Sequence, residues 1–205
     1  MSAGRVEIRL AGSGGQGLLT GMQILLRAYA LSGRRAAQSQ SYEPTSRGGF
    51  CYADLVVCDD PADYPLAIRL DMIAALSQIG LDRSLKLVKP GALVVVDARL
   101  VPEPPRRGFD ARVLPLSDRA IALGSVRVAN VVALAALTRL AGLCPPETLE
   151  QAVRLESPPK FAALNLAGAR GLRAGGEGGR RVSGAPARRG GVARRGVGSP
   201  PEARP

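Results

Sequence analysis

The chain has 205 residues, 46% of them hydrophobic, and a formal net charge of +11. This length is sufficient for one α/β domain with a proper core. Three cysteines without CxxC spacing and no histidine exclude an iron–sulfur cluster and a structural zinc site, and they indicate a reducing, cytoplasmic setting. No secretory leader is recognised, and the apolar runs are too short to cross a bilayer, so we expect a cytoplasmic protein.

Apolar runs alternate with helical periodicity in the first half of the chain. VEIRLAG predicts a strand, and apolar residues from Gly15 to Leu31 recur at helical spacing. RRAAQSQ, FCYADLVVC, DMIAAL and ALVVVDA predict further strands, and SQIGLDRSLKLV predicts a helix stopped by Pro90 and Gly91. This alternation predicts an α/β fold, a doubly wound, mostly parallel sheet with helices on both faces and right-handed crossovers.

The second half is mainly helical in pattern up to residue 155. Arg112–Leu114 predicts one more strand, and SDRAIALG, VANVVALAALTRLAG and PPETLEQAV predict helices. Residues 173–205 contain eight arginines and almost no large apolar side chain. Because such a segment cannot bury enough surface to fold, we predict a folded domain over 1–172 and a disordered basic tail over 173–205.

The basic tail has two interpretations. It is either an arm that binds nucleic acid or a solvated extension with no task. The tail has no aromatic residue on which a base could stack, and the body shows no recognisable nucleic-acid module. These features favour the solvated extension.

A glycine-rich stretch, LAGSGGQGLLTG, joins the first predicted strand to the first predicted helix. Gly12, Gly14 and Gly17 satisfy the pattern GxGxxG. In this position, backbone N–H groups and the helix N-terminus can receive a phosphate. The alternative is steric, because glycines also permit a tight turn and a close approach of helix and strand.

A nucleotide enzyme that acts alone fits the remaining residues poorly. The second predicted strand ends in QSQS, and the first acid, Glu43, lies in the following loop rather than where a ribose would be bound. Arg34 and Arg35 would suit a 2′-phosphate, so an NADP oxidoreductase stays open as the alternative, although no histidine is present as a proton relay. A P-loop is excluded, because no GK[ST] follows and the first lysine is Lys86.

A second polar loop, SQSYEPTSRGG, follows the second predicted strand. It offers hydroxyl groups, an amide and the planar guanidinium of Arg47, which suits phosphate or carboxylate. We expect it at the same edge of the sheet as the first loop. Two donor-rich loops at the carboxyl edge of a sheet favour a ligand site.

Among four other residues, two have both a functional and a structural interpretation. Asp97 follows a predicted strand and is either a ligand contact or a turn cap. Asn130 begins an apolar helix and is either a ligand or subunit contact, a helix cap, or a buried, satisfied amide. Cys51 and Cys58 are interpreted as small core residues on opposite faces of one strand.

The order of these motifs resembles one protein family. IRLAGSGGQGLLTG, QSQSYEPTSRGGFCYADLVV, DYP, AALSQ, GALVVVDA, VANVVALAALTRLAG and KFAALNLAG resemble the gamma subunit of the 2-oxoacid:ferredoxin oxidoreductases, over residues 5 to 171. The GxGGQG loop together with QSYxPxxRGG is far more specific than either motif alone. The second motif favours the 2-oxoglutarate type over the pyruvate and indolepyruvate types.

The resemblance implies a division of labour. Enzymes of the family decarboxylate a 2-oxoacid on thiamine diphosphate, reduce ferredoxin through iron–sulfur clusters and transfer the acyl group to coenzyme A. Thiamine diphosphate and the clusters would lie in alpha, beta and possibly delta partner subunits, and this chain would supply no catalytic residue and be inactive alone. Its gamma-type domain would contribute to assembly and to coenzyme A binding through Gly12, Ser13, Gly14, Gly15, Gln16, Gly17, Ser46, Arg47, Gly48 and Gly49.

Two features depart from the family pattern. Glu43 stands where the family commonly has glycine, and a carboxylate there would repel the phosphates unless it points away. The arginine-rich tail has no counterpart in the family. A purely structural subunit, whose glycines serve packing only, remains the alternative within the same family.

Overall fold

The computed structural model describes residues 5–42, 48–58, 66–171 and 180–182. The strands in these ranges are β1 (Val6–Ser13), β2 (Arg35–Tyr42), β3 (Phe50–Cys58), β4 (Leu70–Ala75), β5 (Val88–Asp97), β6 (Asp110–Leu114) and β7 (Arg180–Val182). The helices are α1 (Leu18–Leu31), α2 (Gln78–Leu85), α3 (Leu116–Ala122), α4 (Ala129–Ala141), α5 (Pro146–Glu156) and α6 (Ala162–Arg170). Short 3₁₀ turns span Val126–Val128 and Pro159–Phe161.

All of these strands form one sheet in the order β2-β3-β1-β4-β5-β6-β7. Strands β1, β4, β5 and β6 are mutually parallel, whereas β3 is antiparallel to both of its neighbours and β7 is antiparallel to β6. Strand β2 therefore points the same way as β1, so β3 and β7 alone run against the others. The expectation of a mostly parallel α/β sheet is confirmed.

Each face of the sheet has its own core. Ile8 and Leu10 of β1 belong to the larger core, which also contains residues of α1, α3, α4 and α5. Ala11 belongs to the smaller core on the other face, where it joins Leu81 of α2 and Val101 of the β5–β6 connection. Helices thus cover both faces, as predicted. Within the described ranges, no helix is long and apolar enough to span a membrane.

Helices and strands do not alternate as regularly as the sequence predicts. Strands β2 and β3 are consecutive and pair antiparallel, with Ser41 opposite Tyr52. Only residues 43–49 separate them, a connection of hairpin length, and a parallel pairing needs a crossover of a dozen or more residues. The connection from β5 to β6, residues 98–109, also contains no helix.

The predictions for two segments are wrong, and one helix is missed. Pro90 and Gly91 lie inside β5, where Gly91 donates its N–H to Gly108 O at 2.6 Å, so they interrupt no helix. Helix α6 was not expected from the sequence pattern. Arg180–Val182, predicted to be disordered, forms β7, because the edge of β6 offers unpaired backbone groups and Val182 packs on the smaller core. The rest of 173–205 lies outside the described residues.

A buried ion pair links the central strands on the face covered by α2. Arg9 of β1 and Asp54 of β3 are each at least 96% buried at the side chain, and two N–H···O bonds of 2.7 Å join them. The Arg9 guanidinium also lies 3.9 Å from the centre of the Tyr52 ring. Burial raises the pKa of Asp54, and the bonds from Arg9 act in the opposite direction.

We expect Asp54→Ala to destabilise the purified chain by about 3–5 kcal/mol in urea unfolding, because it leaves the Arg9 guanidinium buried without a counter-charge. Asp118→Ala is the control, since its pair with Arg99 is more than half exposed and should contribute less than about 1 kcal/mol. Similar losses in the two variants would contradict this role of Asp54.

Candidate functional site

The glycine loop, Gly12–Gly17, turns the chain from the end of β1 into helix α1. Gly15 and Gly17 have positive φ angles of 92° and 70°, which L side chains rarely adopt. Gly17 is the residue that precedes α1, and no side chain caps this helix. The first turn of α1 is therefore presented at the carboxyl edge of the sheet without a capping group.

The structure brings the ends of the two predicted loops together. Gly14 donates its N–H to Gly49 O at 3.0 Å, and Ser13 pairs with Phe50 across β1 and β3. Gly48 and Gly49 thus lie beside the glycine loop. Ser46 and Arg47, the predicted phosphate-binding side chains of the second loop, lie outside the described residues.

Gln16 is turned into the protein. Its Oε1 accepts the N–H of Ser13 at 2.7 Å, and its Nε2 donates to Leu76 O at 2.9 Å. Gly12 makes room for this arrangement, because a Cβ at Gly12 would overlap Gln16 Oε1. The amide of Gln16 therefore ties the loop to the end of β4.

Not all of the predicted backbone donors are available to a ligand. The N–H of Ser13 binds Gln16 Oε1, that of Gly14 binds Gly49 O, and that of Gln16 binds Ser13 O at 3.3 Å. Among the described residues, the remaining N–H groups of the loop and of the first turn of α1 have no intramolecular acceptor. They belong to Gly15, Gly17, Leu18, Leu19 and Thr20.

The glycines of the loop differ in why they need to be glycine. Gly12 leaves space for Gln16, Gly15 has a positive φ, and Gly17 has both a positive φ and a close neighbour. Gly14 has neither constraint within the described residues, because its Cβ would meet Gly48 N at 3.8 Å, an ordinary contact. The fold alone thus accounts for three of these glycines and leaves Gly14 unexplained.

Asn130, at the start of α4, contacts the loop from the larger core. Its Nδ2 donates to Gly17 O at 2.7 Å, and its Oδ1 accepts the N–H of Val131 at 2.9 Å. The residue is 5% exposed. Of its predicted roles, the structure supports the buried, satisfied amide, and no side chain caps α4. The position of Asn130 against the loop could not be read from the sequence.

Asp97 is a turn cap rather than part of the site. Its buried carboxylate accepts N–H groups of Arg99 and Leu100 at 2.9 Å and of Ser117 at 2.5 Å. These bonds hold the chain at the end of β5 and the start of α3.

The cysteines are free thiols. Cys51 is buried, and burial raises its pKa, in agreement with a core role. Cys58 is only partly buried, so the prediction of a core residue is wrong there, because it is the last residue of β3. Burial raises the pKa of Cys144 to about 11.

Within the described ranges, no cluster of acidic and cysteine side chains could hold a metal ion.

Residues 7–174 match the family model of the pyruvate ferredoxin/flavodoxin oxidoreductases. The chain belongs to this family. It is 39% identical to the 2-oxoglutarate synthase subunit KorC of Methanocaldococcus jannaschii, over 76% of this chain and 85% of KorC. Family relatives named for ketoisovalerate or indolepyruvate are 26–28% identical.

Solved structures of the family share the fold. The gamma subunit of a keto/oxoacid ferredoxin oxidoreductase from Geobacter sulfurreducens is 35% identical, with a TM-score of 0.74 over 82% of this chain and 94% of that subunit. A 2-oxoglutarate:ferredoxin oxidoreductase from Magnetococcus marinus, solved with 2-oxoglutarate, coenzyme A and succinyl-CoA, has a TM-score of 0.69 over 82% of this chain and 31% of that one, at 23% identity. The family and the fold expected from the motifs are therefore confirmed, and neither the NADP enzyme nor the nucleic-acid protein is favoured.

Helix α2 contacts the start of the glycine loop through its backbone, and this contact can be tested by substitution of Gly80. A Cβ at Gly80 of α2 would lie 2.6 Å from Gly12 N and 2.9 Å from Ala11 C. Because backbone atoms cannot move aside, we expect Gly80→Ala to lower the free energy of unfolding by about 1–3 kcal/mol in urea titration.

Gly21→Ala is the matched control for Gly80→Ala. Gly21 is also a helical glycine beside the loop, but its Cβ would meet the end of the Leu10 side chain, Cδ1 at 2.9 Å, which can rotate. A larger loss for Gly21→Ala than for Gly80→Ala would contradict the importance of the α2 contact.

Proposed function

We propose that this chain is the gamma subunit of a cytoplasmic 2-oxoacid:ferredoxin oxidoreductase, most closely of the 2-oxoglutarate type, and that its two loops bind phosphates of coenzyme A. The higher identity to KorC than to the ketoisovalerate and indolepyruvate relatives supports the substrate class. The enzyme would convert a 2-oxoacid to an acyl-CoA and carbon dioxide with reduction of ferredoxin.

The chemistry of decarboxylation and electron transfer belongs to partner subunits in this proposal. Three cysteines cannot supply the four ligands of a cysteine-bound iron–sulfur cluster, and the chain has no histidine for proton transfer. Thiamine diphosphate and the clusters would be held by alpha, beta and possibly delta subunits. The isolated chain would therefore supply only part of the coenzyme A site, and it would turn over no 2-oxoacid.

Gly14 is the observation that carries the coenzyme A assignment. No packing contact or backbone conformation in the described residues requires glycine at this position. In glycine loops of this pattern, the second glycine lets a phosphate approach the backbone. A ligand that occupies the space of a Cβ at position 14 accounts for the glycine.

The remaining donors of the loop fit a phosphate. Gly15 and Gly17 are exposed, and their N–H groups have no intramolecular acceptor among the described residues. The first turn of the 14-residue helix α1 adds further N–H groups and the positive end of the helix dipole. Arg47, in the second loop, would add a guanidinium to the same site.

Gly14→Ala tests whether the loop binds the ligand or only turns the chain. The chain is co-expressed with the other subunits of its enzyme, and binding of coenzyme A to the purified complex is measured by calorimetry. We expect the Kd to rise about tenfold or more, with unchanged urea stability of the chain, because the Cβ fills ligand space and clashes with none of the residues that the structure describes. The KM for coenzyme A in viologen reduction should rise in parallel.

Two outcomes would contradict the proposal in different ways. Unchanged coenzyme A binding in Gly14→Ala would show that the glycines are turn residues only. Failure of the chain to assemble with any partner subunit would contradict the subunit role itself.

Removal of single charges in the second loop gives an independent test. We expect Arg47→Ala to raise the KM for coenzyme A and Glu43→Gln to lower it, because the first removes attraction and the second removes repulsion toward phosphate. Both effects should shrink at high ionic strength. Arg107→Ala is the control, since this exposed arginine adjoins Gly108, which contacts the start of β5 at the other edge of the sheet. Equal effects of Arg47→Ala and Arg107→Ala would contradict a local phosphate site.

A further inference from the structure

Helix α1 begins after a glycine, without a side-chain cap. Helices are commonly capped by Ser, Thr, Asp or Asn, whose side-chain oxygen accepts an N–H group of the first turn. Gly17 occupies that position here, and the first turn contains no acidic residue. A capping side chain would compete with a bound phosphate for these donors. The glycine leaves them available, but it also leaves the start of the helix without local support.

Asn130 supplies support from outside the helix. Its Nδ2 donates to Gly17 O at 2.7 Å, and the same carbonyl accepts the N–H of Gly21 at 3.0 Å in the first helical bond. Asn130 therefore fixes the start of the helix through the carbonyl of Gly17. A capping side chain would instead bind the N–H groups of the first turn, and Asn130 does not touch those groups.

The orientation of the Asn130 side chain is fixed. Its Oδ1 accepts the N–H of Val131, so both ends of the amide are engaged, and the residue is 95% buried. Gly17 is required for this contact, because a Cβ there would lie 2.8 Å from Asn130 Nδ2. The contact joins residues 113 positions apart in the chain.

Gln16 holds the other side of the turn. It links Ser13 N–H to Leu76 O, so the loop is tied to β4 by one amide and to α4 by the other. Between these two attachments, the N–H groups of Gly15 and Gly17 face no internal acceptor among the described residues.

We propose that Asn130 is a positioning residue for the glycine loop, which it holds in the conformation that binds phosphate before the ligand arrives. The proposal rests on the proposed coenzyme A function. Asn130 would not touch the ligand; it would raise the population of the binding-competent loop. Its loss should weaken coenzyme A binding while leaving the reaction unaltered once the site is filled.

Asn130→Asp and Asn130→Leu test this role in the assembled enzyme. Both lose the Nδ2 donor, but only the first adds a charge. We expect each variant to raise the Kd for coenzyme A about tenfold, because the binding-competent conformation of the loop falls to about a tenth of the population. The kcat at saturating coenzyme A should stay within about twofold of wild type. In the absence of ligand, amide hydrogen exchange over residues 14–20 should become faster.

Asn165→Asp and Asn165→Leu are the matched controls. Asn165 is a second buried asparagine, 7% exposed, whose Nδ2 donates to Ser157 Oγ at 2.9 Å in the α5–α6 region. Its loss removes a comparable hydrogen bond from the same chain. We expect neither control to accelerate exchange in the loop or to change coenzyme A binding more than about twofold.

The outcomes separate this role from the proposed function. If Gly14→Ala weakens coenzyme A binding but both Asn130 variants leave it unchanged, the positioning role is wrong and the ligand site stands. An effect confined to Asn130→Asp would show repulsion by the new charge and would also overturn the role, as would equal effects of the Asn130 and Asn165 variants. If Gly14→Ala has no effect either, the coenzyme A site and the positioning role fall together.

Discussion

Backbone packing between helix α2 and the end of strand β1 is the contact on which the loop geometry depends. Gly80 brings α2 against Gly12, and Leu76, just before the helix, donates its N–H to Ala11 O at 2.8 Å. The carbonyl of the same Leu76 accepts the side chain of Gln16. The glycine loop is thus fixed to the neighbouring parallel strand before helix α1 begins. A side chain at position 80 would separate these backbones and release the loop.

Charged residues are buried beneath the same helix. The Arg9–Asp54 pair connects β1, which leads into the glycine loop, to β3, which follows the second loop. Breaking a buried pair is costly, so it favours a single register between these antiparallel strands. That register places Ser13 opposite Phe50 and hence Gly14 beside Gly49. The ion pair therefore helps to hold Gly49 beside the glycine loop, although neither of its residues belongs to that loop.

Polar groups at the loop divide into those that hydrogen-bond within the protein and those that the proposed function assigns to a ligand. The side chains of Gln16 and Asn130, and the N–H groups of Ser13 and Gly14, are used within the protein. The donors of Gly15, Gly17 and the first turn of α1 have no acceptor among the residues that the structure describes. Under the proposed function, this arrangement suits a subunit that binds the phosphates of coenzyme A while partner subunits bind its reacting end. It also explains why a GxGxxG pattern occurs here without the acidic residue of a dinucleotide site.

The sequence by itself determined the apolar strands, the turn at the glycines and the family, because short apolar runs, positive-φ glycines and paired motifs are local signals. Strand and helix positions in the first half follow from it almost throughout. Only the tertiary structure decided that β3 lies between β2 and β1, that Gln16 points inward, that Asn130 holds Gly17, and that Arg180–Val182 adds an edge strand. Each of these depends on partners that are distant in the chain, and neither spacing nor composition encodes which distant backbone group a side chain will meet.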